Sequence, residues 1–154
     1  MRSVPPAHPW RLTLGKADAG ARLDEVVDLR DVGLVAVGGA LGAVARFALS
    51  DAWPTRPGGV PWATLAVNLV GAFAIGALLM PSGMEHGTRL FVAVGVLGGF
   101  TTLSTFSFEA VDLWRGGHAA IAGLYLAATG AGGPLMALAG WRLAVAFGAG
   151  SPAP

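Results

Sequence analysis

The chain has 154 residues, 54% of them hydrophobic and only 12% charged, with a mean hydropathy of +0.63. Soluble domains carry about 25% charged residues, and there is too little charge here to cover a core of this size. The net charge of +1 gives nucleic acid no electrostatic footprint, and the absence of Cys excludes disulfides, thiolate catalysis and Cys-based metal sites. His8, His86 and His118 are isolated from one another, which argues against a histidine metal centre.

Charge is also unevenly placed. Ten of the nineteen charged residues lie in positions 1–31, and the remaining 123 residues hold nine. That first segment mixes Pro5, Pro6 and Pro9 with five acids and five bases, and no apolar core of a signal peptide follows Arg2. It reads as a polar, disordered tail in which Ala17–Arg30 can form a short surface helix. An apolar body follows at 32–148, with a second short tail at 149–154.

Within the body, four apolar stretches predict four membrane-spanning helices at about 32–50, 61–80, 88–114 and 119–146. Each is near the roughly 20 residues needed to cross a 30 Å hydrocarbon core. The breaks between them are turn-like: Asp51–Gly59 with Pro54 and Pro57, then Pro81–Gly87, then Arg115–His118. Four spans put both termini on one side. Arg22, Arg30, Arg89 and Arg142 then flank helix ends on that side, against Arg46, Arg56 and Arg115 on the other. Basic residues normally fix orientation, and this near balance suits a subunit that inserts both ways and pairs as an antiparallel dimer. Among the 24 Gly, small pairs four residues apart (Gly38 and Gly42, Ala72 and Gly76, Gly95 and Gly99) provide seams for close helix contact in lipid.

Polar groups inside an apolar span are costly and therefore informative. The densest cluster is Gly98-Gly99-Phe100-Thr101-Thr102-Leu103-Ser104-Thr105-Phe106-Ser107. Paired Gly and a run of hydroxyls are poor helix formers, and the hydroxyls compete for backbone groups. The third stretch is also long: Gly87–Trp114 is 28 residues, or about 42 Å as continuous helix. Both features predict a break mid-span, tolerated only where protein or a cavity solvates the backbone. The alternative is a continuous packing helix whose hydroxyls bond back to their own carbonyls. Asn68 is a second unusual placement, either an interhelical hydrogen bond or an amide donor for an anion. Arg46 can snorkel from the first span or draw anions to a vestibule. Glu109 and Asp112 fall at the end of the third stretch, near the expected interface, which leaves the span centres without a titrating group.

Three motifs together resemble the Fluc (CrcB) family of fluoride channels. They are Gly38-Gly39-Ala40-Leu41-Gly42-Ala43-Val44-Ala45-Arg46-Phe47, then Thr64-Leu65-Ala66-Val67-Asn68-Leu69-Val70-Gly71, then the cluster ending in Ser104-Thr105-Phe106. They stand in the family's order, one in each of the first three spans, and the similarity covers about Val32–Phe147. The resemblance implies an all-α membrane protein: four helices, the third broken mid-membrane, in a dual-topology dimer with two fluoride pores. It implies a structural sodium ion at the dimer interface, held by the backbone carbonyls of Gly98 and Thr101. The implied pore residues are Asn68, Arg46, Thr64, Ser104, Thr105 and Phe106, with Tyr125 and Thr129 from the fourth helix. Leu103 stands where the family has its first pore phenylalanine, which keeps bulk but loses the polarised ring edge.

The expected activity is passive export of cytoplasmic fluoride through the cell membrane, as a homodimer or beside a homologous subunit. The expected partners are fluoride and membrane lipid, with no nucleic acid. Enzyme chemistry is not expected, since no nucleophile–base pair is visible. The competing readings are a small dual-topology exporter, for which the first span lacks a carboxylate, and a non-conducting partner subunit of a heterodimeric fluoride channel.

Overall fold

The computed structural model describes residues 28–79 and 84–148, and they are all helix and turn. The polar tail expected at 1–31 lies outside the described residues up to position 27, as does the tail at 149–154. Helix α1 (Leu29–Ala52) starts at Asp28, whose carboxylate caps it by accepting from Arg30 N at 2.8 Å. It stops where Pro54 forces the preceding Trp53 out of the helical region, to φ −130° and ψ 70°. Helix α2 (Trp62–Leu79) begins after Pro61, which cannot donate and does not need to at a helix start.

The third helical run begins at α3 (His86–Arg89), passes through a π-helical stretch at Leu90–Leu97, and ends as α4 (Gly98–Phe100). Thr101 and Thr102 are then extended, with ψ of 155° and 121°, before α5 (Leu103–Arg115) resumes. The expected break is therefore present, at Thr101–Thr102. The widened π turn before it is a feature that no sequence pattern announced. Some back-bonding occurs as well: Thr101 Oγ1 donates to Leu97 O at 2.9 Å and Ser107 Oγ to Leu103 O at 2.8 Å. Gly117, at φ +83°, ends α5 in the left-handed region that glycine enters without penalty. Helix α6 (Ala119–Ala146) follows and contains Pro134.

Three helical segments are long and apolar enough to cross a membrane: Leu29–Ala52, His86–Arg115 and Ala119–Ala146. Helix α2 is apolar but shorter, 18 residues or about 27 Å. Large apolar side chains face outward along the bundle, among them Phe47, Phe108 and Leu124, each at least 70% exposed. In water that surface would be prohibitive, and in lipid it is solvated.

Glycine fixes how the helices meet. Gly38 lies against Gly95, Gly42 against Val96 and Phe100, and Gly99 against Gly39, joining α1 to the π stretch and α4. A Cβ on Gly42 would lie 2.7 Å from Phe100 N and still closer to Val96 O. A second seam joins α2 to α6, where Gly76 backs onto the main chain of Ala137 and Gly140 onto that of Phe73 and Ala77. The buried cluster of Leu65, Phe106, Ala110, Leu113, Ala122 and Tyr125 lies where α2, α5 and α6 converge.

Two measurements check this account. Gly42→Ala meets backbone that cannot yield, and is expected to lower stability by about 1–3 kcal/mol in denaturant unfolding. Gly123→Ala, with nothing within 4 Å, should be neutral or stabilising by up to about 1 kcal/mol through helix propensity. Equal effects would refute the seam. The entry to α3 is capped by Glu85, which accepts from Gly87 N, Thr88 N and Thr88 Oγ1 at 3.1–3.2 Å. These bonds, the Gly87 amide first, hold its carboxyl below the ordinary carboxylate range. A depressed folded-state value stabilises above the unfolded pKa of about 4.3 and is lost as pH falls below it. Glu85→Gln should therefore flatten the dependence of thermal stability on pH below about 4.3 and leave the neutral side with a constant offset.

Candidate functional site

The break at Thr101–Thr102 organises the polar groups, because an extended pair in an apolar span strips the helical ladder of partners. Asn68, on α2, makes up part of the loss. Its Nδ2 donates to Thr102 O at 3.0 Å while its Oδ1 accepts from Thr102 N at 2.8 Å, a two-point clamp on one residue. The Thr102 side chain restarts the helix. Its Oγ1 accepts from Thr105 N at 3.2 Å, donates to Thr105 Oγ1 at 3.0 Å and lies 3.3 Å from Ser104 Oγ. A threonine followed three residues on by a hydroxyl at a helix start was a capping signal available in the sequence.

The carbonyls exposed by the break can be followed one by one. In a continuous helix Thr102 N would donate to Gly98 O and Thr105 N to Thr101 O. Both amides are taken elsewhere, by Asn68 Oδ1 and Thr102 Oγ1. Gly99 O is engaged by Arg46 Nε at 3.3 Å. The resemblance implies a sodium ion on the Gly98 and Thr101 carbonyls, and these are the oxygens whose helical donors are diverted. Neutral carbonyl oxygens with no carboxylate among them suit a hard monovalent cation, so the residues present fit the group. Gly98, Thr101, Asn68 and Leu97 also line an open concavity of about 280 Å³ on the surface of the chain.

A second polar group forms where α2, α5 and α6 meet. Glu109 accepts from Thr64 Oγ1 at 2.8 Å and from Tyr125 OH at 2.6 Å. Sequence reasoning put Glu109 at an interface and outside the site. The structure adds its partners: the carboxylate is partly buried and bridges two of the expected pore residues. Its one visible signal was its spacing of three from Phe106, which puts both on one face of α5. The partner hydroxyls come from 45 and 16 residues away, which spacing alone does not reveal. Each hydroxyl has a single hydrogen, so Thr64 and Tyr125 can donate to an anion only by leaving Glu109. Phe106 packs edge-on against Tyr125, with ring centroids 5.0 Å apart and planes at 64°.

The remaining expected residues are spread around these two groups. Thr105 is half-buried beside Thr102, and its own hydrogen is not used in accepting from Thr102. Thr129 Oγ1 is buried without a hydrogen-bond partner among the described residues, one turn along α6 from Tyr125. Ser104 is exposed, and Leu103 is 76% exposed. Phe106 is only 9% exposed, so these two third-span positions face opposite environments within one subunit. Arg46, expected to snorkel or to face a vestibule, donates from its Nε to Gly99 O at the end of α4.

Comparison with known proteins bears on this arrangement. Residues 33–141 match the family described as CrcB-like protein, Camphor Resistance (CrcB). The chain is 46% identical over 110 residues to the fluoride-specific ion channel FluC 2 of Nocardia farcinica, covering 69% of this chain and 76% of that one. It is 50% identical over 114 residues to the fluoride-specific ion channel FluC of Sphingopyxis alaskensis, covering 71% and 90% respectively. Against the fluoride-specific ion channel FluC of Thermus thermophilus it is 45% identical over 115 residues, again covering 71% and 90%. The match runs from the start of α1 to the last turns of α6 and takes in the break, its clamp and the Glu109 group, and on that ground the chain belongs to the CrcB-like family.

Proposed function

We propose that this chain is a subunit of a passive, fluoride-selective channel that exports cytoplasmic fluoride across the cell membrane. The observation that carries the reading is the clamped break in the third helical run, which gathers neutral donors in an otherwise apolar segment. Fluoride is small and strongly hydrated, so a pore has to replace its water with hydrogen-bond donors. Asn68 keeps one amide hydrogen beyond its clamp, and Thr105 and Thr129 keep their hydroxyl hydrogens. Ser104 adds an exposed hydroxyl, and Phe106 offers a ring edge of positive quadrupole density. Thr64 and Tyr125 are reserve donors held on Glu109. Neutral donors bind an anion weakly enough to release it, which conduction requires.

In this reading α2 is the fourth span and the subunit pairs with an antiparallel copy, giving two pores. The near balance of Arg22, Arg30, Arg89 and Arg142 against Arg46, Arg56 and Arg115 supports insertion in both orientations. The Gly98 and Thr101 carbonyls, whose helical donors are diverted, would hold sodium at the dimer interface, where the ion would supply positive charge to neighbouring carbonyl dipoles. A second reading, a subunit that conducts only beside a homologue, is favoured by Leu103. That side chain projects from the subunit and brings no aromatic ring to the partner's pore.

Purified protein in liposomes, followed by a fluoride electrode with chloride as control, tests the proposal. Fluoride efflux with little chloride efflux is expected, and Asn68→Ala and Phe106→Ile should each slow it about tenfold or more. Equal fluoride and chloride flux, or full activity in both variants, would sink the pore assignment. Silence of the wild type that is relieved by a co-expressed homologue would select the heteromeric reading. Replacing sodium by N-methyl-glucamine should lower the melting temperature of the dimer in detergent. An unchanged melting curve would remove sodium from the proposal.

A further inference from the structure

A second concavity among the described residues lies away from the break. It is a recess of about 560 Å³ at the α1–α2 connection, lined chiefly by Trp53, Thr55, Arg56 and Trp62. The proposed conduction path makes no use of it. Trp53 directly follows the end of α1 and Trp62 opens α2, so the two indoles bracket one end of two apolar helices. Both are about half exposed, at 49% and 52%. This is the depth at which tryptophan settles in a bilayer, its ring among the headgroups.

The loop between the two indoles is held in shape. Arg56-Pro57-Gly58-Gly59 has proline second and glycine third, with Gly58 at φ +69° and Gly59 N donating to Arg56 O at 2.9 Å. These are the marks of a type II turn. Gly58 also lies directly against the His118 ring, so the turn is fastened to the α5–α6 connection. Arg56 therefore leaves a fixed point. Its guanidinium has no salt bridge or hydrogen bond among the described residues, and no carboxylate lines the recess. The Thr55 hydroxyl and the indoles of Trp53 and Trp62 line the same recess and are exposed to it.

We infer that this recess is a binding site for a phosphate ester anion, held by the Arg56 guanidinium between Trp53 and Trp62. A planar guanidinium with donors in a fork matches phosphate oxygens in pairs, and hydroxyl and indole N–H groups donate to the remaining oxygens. Two sources share that chemistry: the headgroup of an anionic phospholipid, which the indoles' depth favours, and a soluble phosphate. The site does not depend on conduction. It would tie the end of α1 and the start of α2 to the headgroup layer.

Native mass spectrometry of the full chain in detergent tests this, with dioleoyl-phosphatidylglycerol, dioleoyl-phosphatidylcholine, glycerol 3-phosphate and inorganic phosphate as separate probes. Wild type is expected to retain phosphatidylglycerol above phosphatidylcholine. Arg56→Gln should weaken that retention about fivefold, the effect of losing one basic residue near an anionic headgroup. Arg56→Lys should keep part of it, and Trp62→Leu should weaken it without changing the melting temperature. Arg56-dependent binding of glycerol 3-phosphate or inorganic phosphate as tight as that of the lipid would support the site and name the soluble source. Identical retention in wild type and Arg56→Gln, or no preference for any phosphate probe over phosphatidylcholine, would overturn it. Fluoride efflux by Trp62→Leu, which leaves the basic residues untouched, should be unaffected, and this separates a failure here from a failure of the channel reading.

Discussion

A membrane-embedded helix cannot leave its backbone unpaired, and the two extended residues at Thr101–Thr102 impose that requirement on everything around them. Asn68 answers it on both polar atoms of Thr102, and the Thr102 hydroxyl answers it for the helix that restarts. Each unsatisfied group in lipid costs several kcal/mol, so the clamp is a condition for the break to exist. On the Asn68 side chain, Oδ1 and one hydrogen serve the fold, and the second amide hydrogen is without a partner among the described residues.

That economy makes the carbonyls interesting. Diverting Thr102 N and Thr105 N frees Gly98 O and Thr101 O while Arg46 occupies Gly99 O. One side chain on α1 and one on α2 therefore sort the oxygens of α4 into engaged and open. The close approach of α1 that puts Arg46 within reach of Gly99 depends in turn on Gly38 and Gly42 having no Cβ. The glycine seam and the polar site are one construction, since bulk added at the seam would move Arg46 off the end of α4.

The Glu109 group shows a different balance. A carboxylate among apolar helices is stabilised here by two hydroxyl donors, Thr64 and Tyr125, and not by a cation. Charge-assisted hydrogen bonds are about twice as strong as neutral ones, so the three residues lock α2, α5 and α6 together beside the Phe106–Tyr125 contact.

Much of this was legible in the chain itself. Apolar runs punctuated by Pro54, Pro57 and Gly116-Gly117 gave the helices and their ends, because hydropathy and turn chemistry are local properties. Paired Gly with adjacent hydroxyls announced the break, because poor helix propensity is local too. Asn68 stood out as a lone amide among apolar residues. What sequence reading missed was pairing across distance. That Glu109 meets Thr64 and Tyr125, that Arg46 faces Gly99 and that Leu103 projects away while Phe106 turns in are consequences of how the helices rotate about their axes. Those rotations are set by glycine contacts between segments far apart in the chain, and a linear pattern carries no information about which donor will reach which acceptor.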